Sequence, residues 1–207
     1  MGRTGGEQTR KKILATAEAL FAEKGYDGTG IQDIATEAGI NKALIYYHFK
    51  NKKDIVDSLF RRTLEEMFAM QGTAEEKIRD AGGEENVERK IVGIIAFLEK
   101  KRKILAVMLM ESLKLDTDGY RSLFECAKMI IEKNISEMMH EGEAAGLKKS
   151  GGRDELLMHE FFTGFLPIVF FALFKDRWAE FFGCDRTETT RLFLDVFSRS
   201  HIRHLNG

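Results

Sequence analysis

Residues Ile31 to Lys53 read IQDIATEAGINKALIYYHFKNKK, and their pattern predicts two short helices joined by a glycine turn. The first helix is expected over Ile31–Ala38, because its apolar residues recur at helical spacing. Gly39 is expected at the turn, since glycine enters the left-handed backbone region without a steric penalty from Cβ. Asn41 is a favoured N-cap for a second helix over Lys42–His48. This helix–turn–helix arrangement is typical of proteins that place the second helix in the major groove of DNA.

The second helix is predicted to have one buried and one exposed face. Ile45 and Phe49 are four residues apart and are expected to point inward. Tyr46 and Tyr47 are adjacent, so a single helix face cannot bury both of them. With Lys42 and Ala43 they form the predicted exposed face, where an ammonium group and two phenol hydroxyls can reach phosphates or base edges.

The whole chain is predicted to be all-α. Its 207 residues include a single proline, Pro167, and no alternating run typical of a strand. Helical periodicity predicts a three-helix N-terminal domain over residues 1–51 and a C-terminal bundle of about six helices over residues 52–207. Asn51 and Asp54 resemble a capping box at the start of the fourth helix, which joins the two domains. A long helix over Asp154–Trp178 is expected to kink near Pro167.

Composition favours a soluble cytoplasmic protein. The longest apolar run, Phe161–Phe174, is too short to span a bilayer, so no membrane association is expected. The two cysteines, Cys126 and Cys184, are far apart in the sequence and are expected to be free thiols in a reducing compartment. Basic residues slightly exceed acidic residues in residues 1–62 and the reverse holds in the remainder, a bias too weak to indicate nucleic-acid binding by itself.

Residues Thr9 to Phe60 resemble the N-terminal domain of the TetR family of bacterial transcription regulators. The residues that carry the resemblance are Ala17, Phe21, Gly25, Tyr26, Asp33, Ile34, Ala35, Gly39, Lys42, Ala43, the run Ile45–Phe49 and the run Lys50–Lys52. The resemblance implies a ligand-responsive regulator, most simply a repressor, that binds a palindromic double-stranded DNA operator as a homodimer. The DNA contacts that it implies are Thr29, Gln32, Asn41, Lys42, Ala43, Leu44, Tyr46, Tyr47, His48 and Lys52.

Some roles within this set stay open in the sequence. Leu44 and Gly30 depart from the family's usual residues, and Leu44 either touches a thymine methyl or packs inward. Thr29 or Gly30 caps the first helix of the motif. His48 either contacts DNA or satisfies a local hydrogen bond. Lys52 is expected to bind a phosphate beside the free N–H groups of the fourth helix.

The C-terminal two-thirds is rich in methionine and phenylalanine, which adapt to irregular apolar ligands. These residues are either plain core or the lining of the effector cavity that the resemblance implies. Glu111 is either a pocket group for a cationic or hydroxylated ligand or a residue at a solvent edge. The candidate ligand-binding residues are Leu64, Met67, Phe68, Met108, Glu111, Phe124, Phe162 and Phe165.

By analogy with the family, the last two long helices form the homodimer interface, with Phe165, Leu166, Val169, Phe193 and Phe197 as candidates. No catalytic motif stands out, so no enzyme activity or cofactor is expected. His201 and His204 share a helix face but have no obvious third ligand, so no metal site is expected. The alternative function is a carrier that sequesters apolar ligands and retains a vestigial helix–turn–helix.

Overall fold

The computed structural model of the chain describes the backbone of residues 2–78, 84–114, 119–144 and 152–202 and the side chains of residues 5–70, 87–114, 119–136 and 152–201. All regular structure in these ranges is helical, so the predicted all-α class is confirmed. The helices are α1 (Gly2–Lys24), α2 (Ile31–Glu37), α3 (Lys42–His48), α4 (Lys52–Ile78), α5 (Glu84–Lys100), α6 (Arg102–Ser112), α7 (Gly119–Ala144), α8 (Arg153–His159), α9 (Leu166–Phe182) and α10 (Arg186–Phe197).

Within the described residues, the predicted count of three N-terminal helices and about six further helices is confirmed. A π-helical segment, Glu160–Phe165, joins α8 and α9 into one continuous helix of 30 residues, Arg153–Phe182. A second π-helical segment, Ser198–Ile202, continues α10. Within the described ranges the chain therefore forms nine continuous helices.

Pro167 lies directly after a change of helix type, in the place where the sequence predicted a kink. The proline is the second residue of α9, directly after the π-helical segment Glu160–Phe165. Proline lacks an N–H donor, and its ring crowds the carbonyl four residues earlier. The wider π-helical turn accommodates both effects while the helix continues.

The chain divides into two compact units, and unit 1 consists of residues Met1–Phe68 and Lys103–Leu123. In unit 1, α1 packs against α2, and α2 packs against α3. The buried side chains repeat along α1 and α4 at helical spacing, as expected for amphipathic helices. The buried apolar residues of unit 1 include Ile13, Leu14, Ala17, Leu20, Phe21, Ile34, Ala35, Ile45, Phe49, Ile55, Val56, Leu59 and Phe60.

Unit 2 consists of residues Ala69–Arg102 and Phe124–Gly207. Helix α9 packs against α5 and α10. One apolar cluster contains Ile91, Ile95 and Phe197 together with Phe171 and Phe193, whose rings stack with centroids 3.9 Å apart. A second cluster joins one face of α7 to α8 and the first π-helical segment, through Ala127, Ile131, Ile135, Leu156, Leu157, Phe161 and Phe165.

The apolar run Phe161–Phe174 lies inside a helix much longer than the run itself. By length and composition alone, Arg153–Phe182 is long and apolar enough to cross a membrane, because the helix extends beyond the run at both ends. The core helix of a soluble protein also passes this test. Most of the apolar stretch is not buried within its own chain, so part of it is available to a partner.

Candidate nucleic-acid interface

The turn between α2 and α3 is fixed by local hydrogen bonds. Gly39 adopts φ +60°, the left-handed conformation predicted for this position. The Ile40 N–H donates to the carbonyl of Ala35 over 3.0 Å and closes the C-terminal end of α2. The Asn41 side chain then accepts from the Ala43 N–H over 2.9 Å, so the predicted N-cap of α3 is confirmed.

Helix α3 has the two faces predicted for it. Ile45 is fully buried and Phe49 is 2% exposed, so this face anchors the helix in unit 1. Tyr47 is 81% exposed and Tyr46 is 50% exposed, and a water-exposed pair of this size on a short helix is available for contact with another molecule. Leu44 is 37% exposed, so it does not pack inward.

Other predicted contacts surround these tyrosines. Lys42 and Ala43 are exposed, and the Lys42 ammonium lies 5.9 Å from the centre of the Tyr46 ring. His48 is half-buried, with its ring edge against Tyr47 at a centroid distance of 5.1 Å. This surface carries one ammonium, two phenol groups and an imidazole within two turns of helix.

Thr29 does not lie on this surface. Its side chain is fully buried, and its hydroxyl lies 2.9 Å from the Gly25 carbonyl oxygen and 3.2 Å from that of Leu20. The Gly25 carbonyl lies just after α1, where the helix provides no N–H partner. The burial of Thr29 does not fit the predicted DNA contact, because the hydroxyl is occupied by its own chain.

Gly30, and not Thr29, is the N-cap of α2. The Gly30 N–H donates to the Asp33 carboxylate over 2.7 Å, so Asp33 supplies the side-chain part of the cap. Gln32 is exposed in the first turn of α2, and its amide lies 3.5 Å from the Thr36 hydroxyl. Gln32 therefore lies on the surface of the motif, as the predicted contact requires.

Lys52 lies at the start of α4 beside a confirmed capping box. The Asp54 N–H donates to the Asn51 side chain over 2.9 Å, and the Lys50 N–H donates to Asp54 over 2.9 Å. The Lys52 ammonium donates to the Tyr26 carbonyl over 2.9 Å and lies 4.1 Å from the centre of the Tyr26 ring. A phosphate contact by Lys52 therefore competes with an interaction inside unit 1.

The eight candidate ligand-binding residues are divided between the two units. In unit 1, Leu64, Met67 and Met108 are buried and Phe68 is half-buried. Glu111 pairs with Lys114 over 2.8 Å, an ion pair that the sequence reading did not include. The spacing of three residues at the end of α6 is the signal that could have identified it. In unit 2, Phe165 is half-buried, and Phe124 and Phe162 are 51% and 56% exposed.

The candidate dimer residues lie mostly in the interior of unit 2. Val169 and Phe197 are buried by their own chain, and Phe193 packs in the same cluster as Phe197. Phe165 packs against the α7 cluster, and Leu166 is half-buried. The exposed apolar residues of these helices are different ones, namely Phe170, Phe174, Trp178, Phe181, Phe182, Leu192 and Val196.

A buried polar cluster in unit 2 was not identified from the sequence. Glu160 is 3% exposed and lies 3.6 Å from Nε2 of His201, which is 7% exposed. The Thr163 hydroxyl lies 2.8 Å from Nδ1 of His201, and the His159 and His201 rings stack 4.7 Å apart. Among the described residues, no three His, Cys, Asp or Glu side chains are arranged to hold a metal ion. His204 lies outside the described residues.

The N-terminal part of the chain is similar in sequence to known transcription regulators. The family model for bacterial regulatory proteins of the tetR family matches residues 13–59. Over 59 residues the chain is 44% identical to a Staphylococcus epidermidis protein, the biofilm operon icaADBC HTH-type negative transcriptional regulator IcaR. That alignment covers 28% of this chain and 30% of the relative, so the chain spans less than a third of the relative's length.

Solved structures match over nearly the full length. A Mesorhizobium loti protein described as a TetR-family transcriptional regulator aligns with a TM-score of 0.66 at 20% identity, over 96% of this chain and 98% of its own. Residues 13–59 match the TetR family, and the solved structures show a similar fold over the rest of the chain. FadR from Bacillus subtilis, crystallised with stearoyl-CoA, aligns with a TM-score of 0.65 at 20% identity, over 90% of this chain and 96% of its own. At this identity the likeness shows that the fold is shared over nearly the whole chain. It shows nothing about function.

Proposed function

We propose that the chain is a DNA-binding transcription regulator that acts as a homodimer. The observation that carries the proposal is the exposed face of α3, where Tyr46 and Tyr47 project from a helix anchored by buried Ile45 and Phe49. A rigid helix with exposed hydrogen-bonding side chains is what readout of a DNA groove requires. The tetR family match over residues 13–59 supports the same use of this helix.

The proposed division of labour follows the predicted domains. Residues 1–51 would read DNA, and residues 52–207 would bind an effector and dimerise. A twofold dimer presents two copies of α3, so we propose a palindromic operator with half-site centres about one helical turn, or a small multiple of it, apart. The Staphylococcus epidermidis relative is a negative regulator, which supports a repressor over an activator. Such a protein acts in the cytoplasm.

The proposed effector is a small apolar molecule. The methionine and phenylalanine side chains of residues 52–207 suit an irregular apolar ligand. The Bacillus subtilis FadR structure contains stearoyl-CoA, which carries a long acyl chain, and this supports the same ligand class. An effector that binds more tightly to the conformation that fits DNA poorly lowers DNA affinity by the difference in its two binding free energies.

A gel-shift experiment with the DNA upstream of the chain's own gene tests the proposal. We expect a shift that is competed by the same fragment and lost when a lipid extract is added. Tyr47→Ala should weaken binding about fivefold or more, since a contact worth roughly 1 kcal/mol is lost. Tyr120→Ala, which removes an exposed tyrosine in α7, is the matched control and should leave the shift unchanged.

The possible results separate the two functions considered. A shift of wild type with no loss in Tyr47→Ala would remove Tyr47 from the interface. Absence of any shift, with and without the lipid extract, would favour the alternative function, a carrier of apolar ligands with a vestigial helix–turn–helix. A shift that the extract leaves unchanged would support DNA binding and contradict the apolar effector.

A further inference from the structure

Lys114, just after α6, joins the turn between α1 and α2 to α6 through one ammonium group. Its Nζ lies 2.8 Å from Oδ2 and 3.0 Å from Oδ1 of Asp27, in the turn between α1 and α2. The same Nζ lies 2.8 Å from the Glu111 carboxylate in α6. These hydrogen bonds lower the pKa of the Asp27 carboxyl and raise the pKa of the Lys114 ammonium, so both groups stay charged.

The neighbouring Tyr26 is held through both its ring and its backbone carbonyl. Its ring has the Lys52 ammonium at 4.1 Å and the Lys114 ammonium at 5.4 Å, distances typical of cation–π contacts. Its carbonyl accepts from Lys52 over 2.9 Å. The ring also lies 5.6 Å from the Phe21 ring at the end of α1. The turn therefore has fixed contacts with α1, with the start of α4 and with the end of α6.

The turn has little freedom of its own to adopt another path into α2. A Cβ at Gly28 would lie 2.3 Å from the Lys24 carbonyl oxygen, so the backbone approaches the end of α1 closely there. Thr29 follows, buried and bonded to α1, and Gly30 is the N-cap of α2. Because α2 packs against α3, a shift of the Tyr26–Asp27 pair changes the start of the helix that supports the exposed face.

We propose that Lys114 is a positioning residue for DNA binding, which fixes the turn of Tyr26 and Asp27 ahead of α2 through its contacts with Asp27 and Glu111. The proposal rests on the DNA-binding function proposed above. Lys114 acts through the turn and makes no contact with DNA in this proposal. Glu111, expected from the sequence to be a pocket group or a solvent-edge residue, has the role of orienting Lys114.

The test compares Lys114→Met and Asp27→Asn in the full chain, with the upstream DNA fragment as the probe. Each change should weaken binding about two- to fivefold, the range that corresponds to one exposed ion pair. The slope of log Kd against log salt should stay at the wild-type value, because no phosphate contact is lost. The double variant should weaken binding no more than either single variant, since both remove the same interaction.

The direction in which Asp27→Asn changes DNA affinity separates a positioning role from a general charge effect. Removal of a negative charge near DNA should tighten binding if only the overall field matters. Positioning requires weaker binding. Lys128→Met is the matched control: it removes a surface lysine paired with Glu132 in α7 and should change neither the affinity nor the salt slope.

Amide hydrogen exchange of the free protein adds a measurement that needs no DNA. Lys114→Met should raise exchange in residues 25–30 and leave exchange in α5 unchanged. Unchanged affinity in Lys114→Met, or a salt slope reduced by about one unit per subunit, would overturn the inference about Lys114. The proposed DNA-binding function would still stand. If the wild-type chain binds no DNA, both the proposed function and this inference are overturned. Binding by the wild type therefore distinguishes a failure of the inference from a failure of the proposed function.

Discussion

The side chain of Thr29 shows how burial changes the role assigned to a single residue. The resemblance to the TetR family implied a DNA contact for Thr29. In the folded chain the hydroxyl is bonded to carbonyl oxygens of Leu20 and Gly25. Its contribution is therefore expected in the stability of unit 1, where it satisfies the end of α1.

Thr29→Val tests this role. Valine has nearly the same shape but leaves the buried carbonyls without the hydroxyl, so the free energy of unfolding should fall by about 1–3 kcal/mol. Urea unfolding measures this change. Thr36→Val, which alters an exposed threonine of α2, is the control and should stay within about 0.5 kcal/mol of wild type. Unchanged stability together with weaker DNA binding would restore Thr29 to the contact list.

Lys52 is the residue for which two roles compete directly. Its ammonium is bonded to Tyr26, and it also lies at the N-terminal end of α4, where anions are favoured. If it moves to a phosphate in the complex, Lys52→Ala should weaken binding to all DNA sequences and reduce the salt slope by about one unit per subunit. Fluorescence anisotropy at several salt concentrations measures both quantities, and Lys128→Ala serves as the control.

An unchanged salt slope in Lys52→Ala would give Lys52 a structural role. If Lys52→Ala weakens binding while the salt slope stays at the wild-type value, Lys52 supports Tyr26 and does not bind phosphate. Lys52 would then act in the same way as we propose for Lys114.

At the scale of elements, helix types and caps determine where side chains meet. The two π-helical segments bring His159, Glu160, Thr163 and His201 together in unit 2. A Cβ at Gly164 would lie 2.8 Å from the His201 ring, so only glycine fits this approach without displacing the ring. The cluster depends on this pair of local helix distortions, which are frequent at functional sites.

Stability should depend on pH through His201. Burial, and next the neighbouring His159, lower the pKa of His201 to about 4 from 6.5, although Glu160 lies 3.6 Å away. The unfolded chain then binds more protons than the folded chain between about pH 4 and pH 6.5. The free energy of unfolding should therefore rise with pH across this window, by at most about 1.4 kcal/mol per pH unit.

Urea unfolding at half-unit pH steps measures this dependence. His201→Asn should flatten the curve across the window, because the titrating group is removed. His48→Asn changes a half-buried histidine of α3 and is the control, expected to keep the wild-type slope. A wild-type curve that is flat from pH 4 to pH 6.5 would show that His201 titrates alike in the folded and unfolded chains.

At the scale of the whole molecule, the apolar surface of α9 needs a partner. Phe170, Phe174, Trp178 and Phe181 are exposed and recur at helical spacing, so they form one stripe. Leu192 and Val196 are exposed on α10. We propose this set as the homodimer face, in place of Val169 and Phe197, which their own chain already covers.

Phe174→Glu should convert the proposed dimer into a monomer, because a charge cannot be buried unpaired in an apolar interface. Light scattering after size-exclusion chromatography measures the mass. Leu113→Glu, a change at an apolar residue of unit 1 that is 74% exposed, is the control and should stay dimeric. A wild-type monomer, or a Phe174→Glu variant that remains dimeric, would contradict this face.

The sequence by itself determined the helix–turn–helix and the all-α class. Gly39, Asn41 and the pair Ile45 and Phe49 act within a few residues of one another, so backbone preference and helical spacing are enough to place them. The caps at Asn51 and Asp54 are local in the same way. The exposure of Tyr46 and Tyr47 followed from the inward positions of Ile45 and Phe49 on the same helix.

Only the tertiary structure decided which of these residues are available. The burial of Thr29, the contact of Lys52 with Tyr26 and the pairing of Lys114 with Asp27 depend on segments that are distant in sequence. Helical spacing identifies an apolar helix, but residues 166–174 of α9 are all apolar, so no polar face there shows which side is covered. Packing against α5 and α10 buried Val169 and left Phe170 and Phe174 outward, because contacts between helices fix the rotation of each helix about its axis.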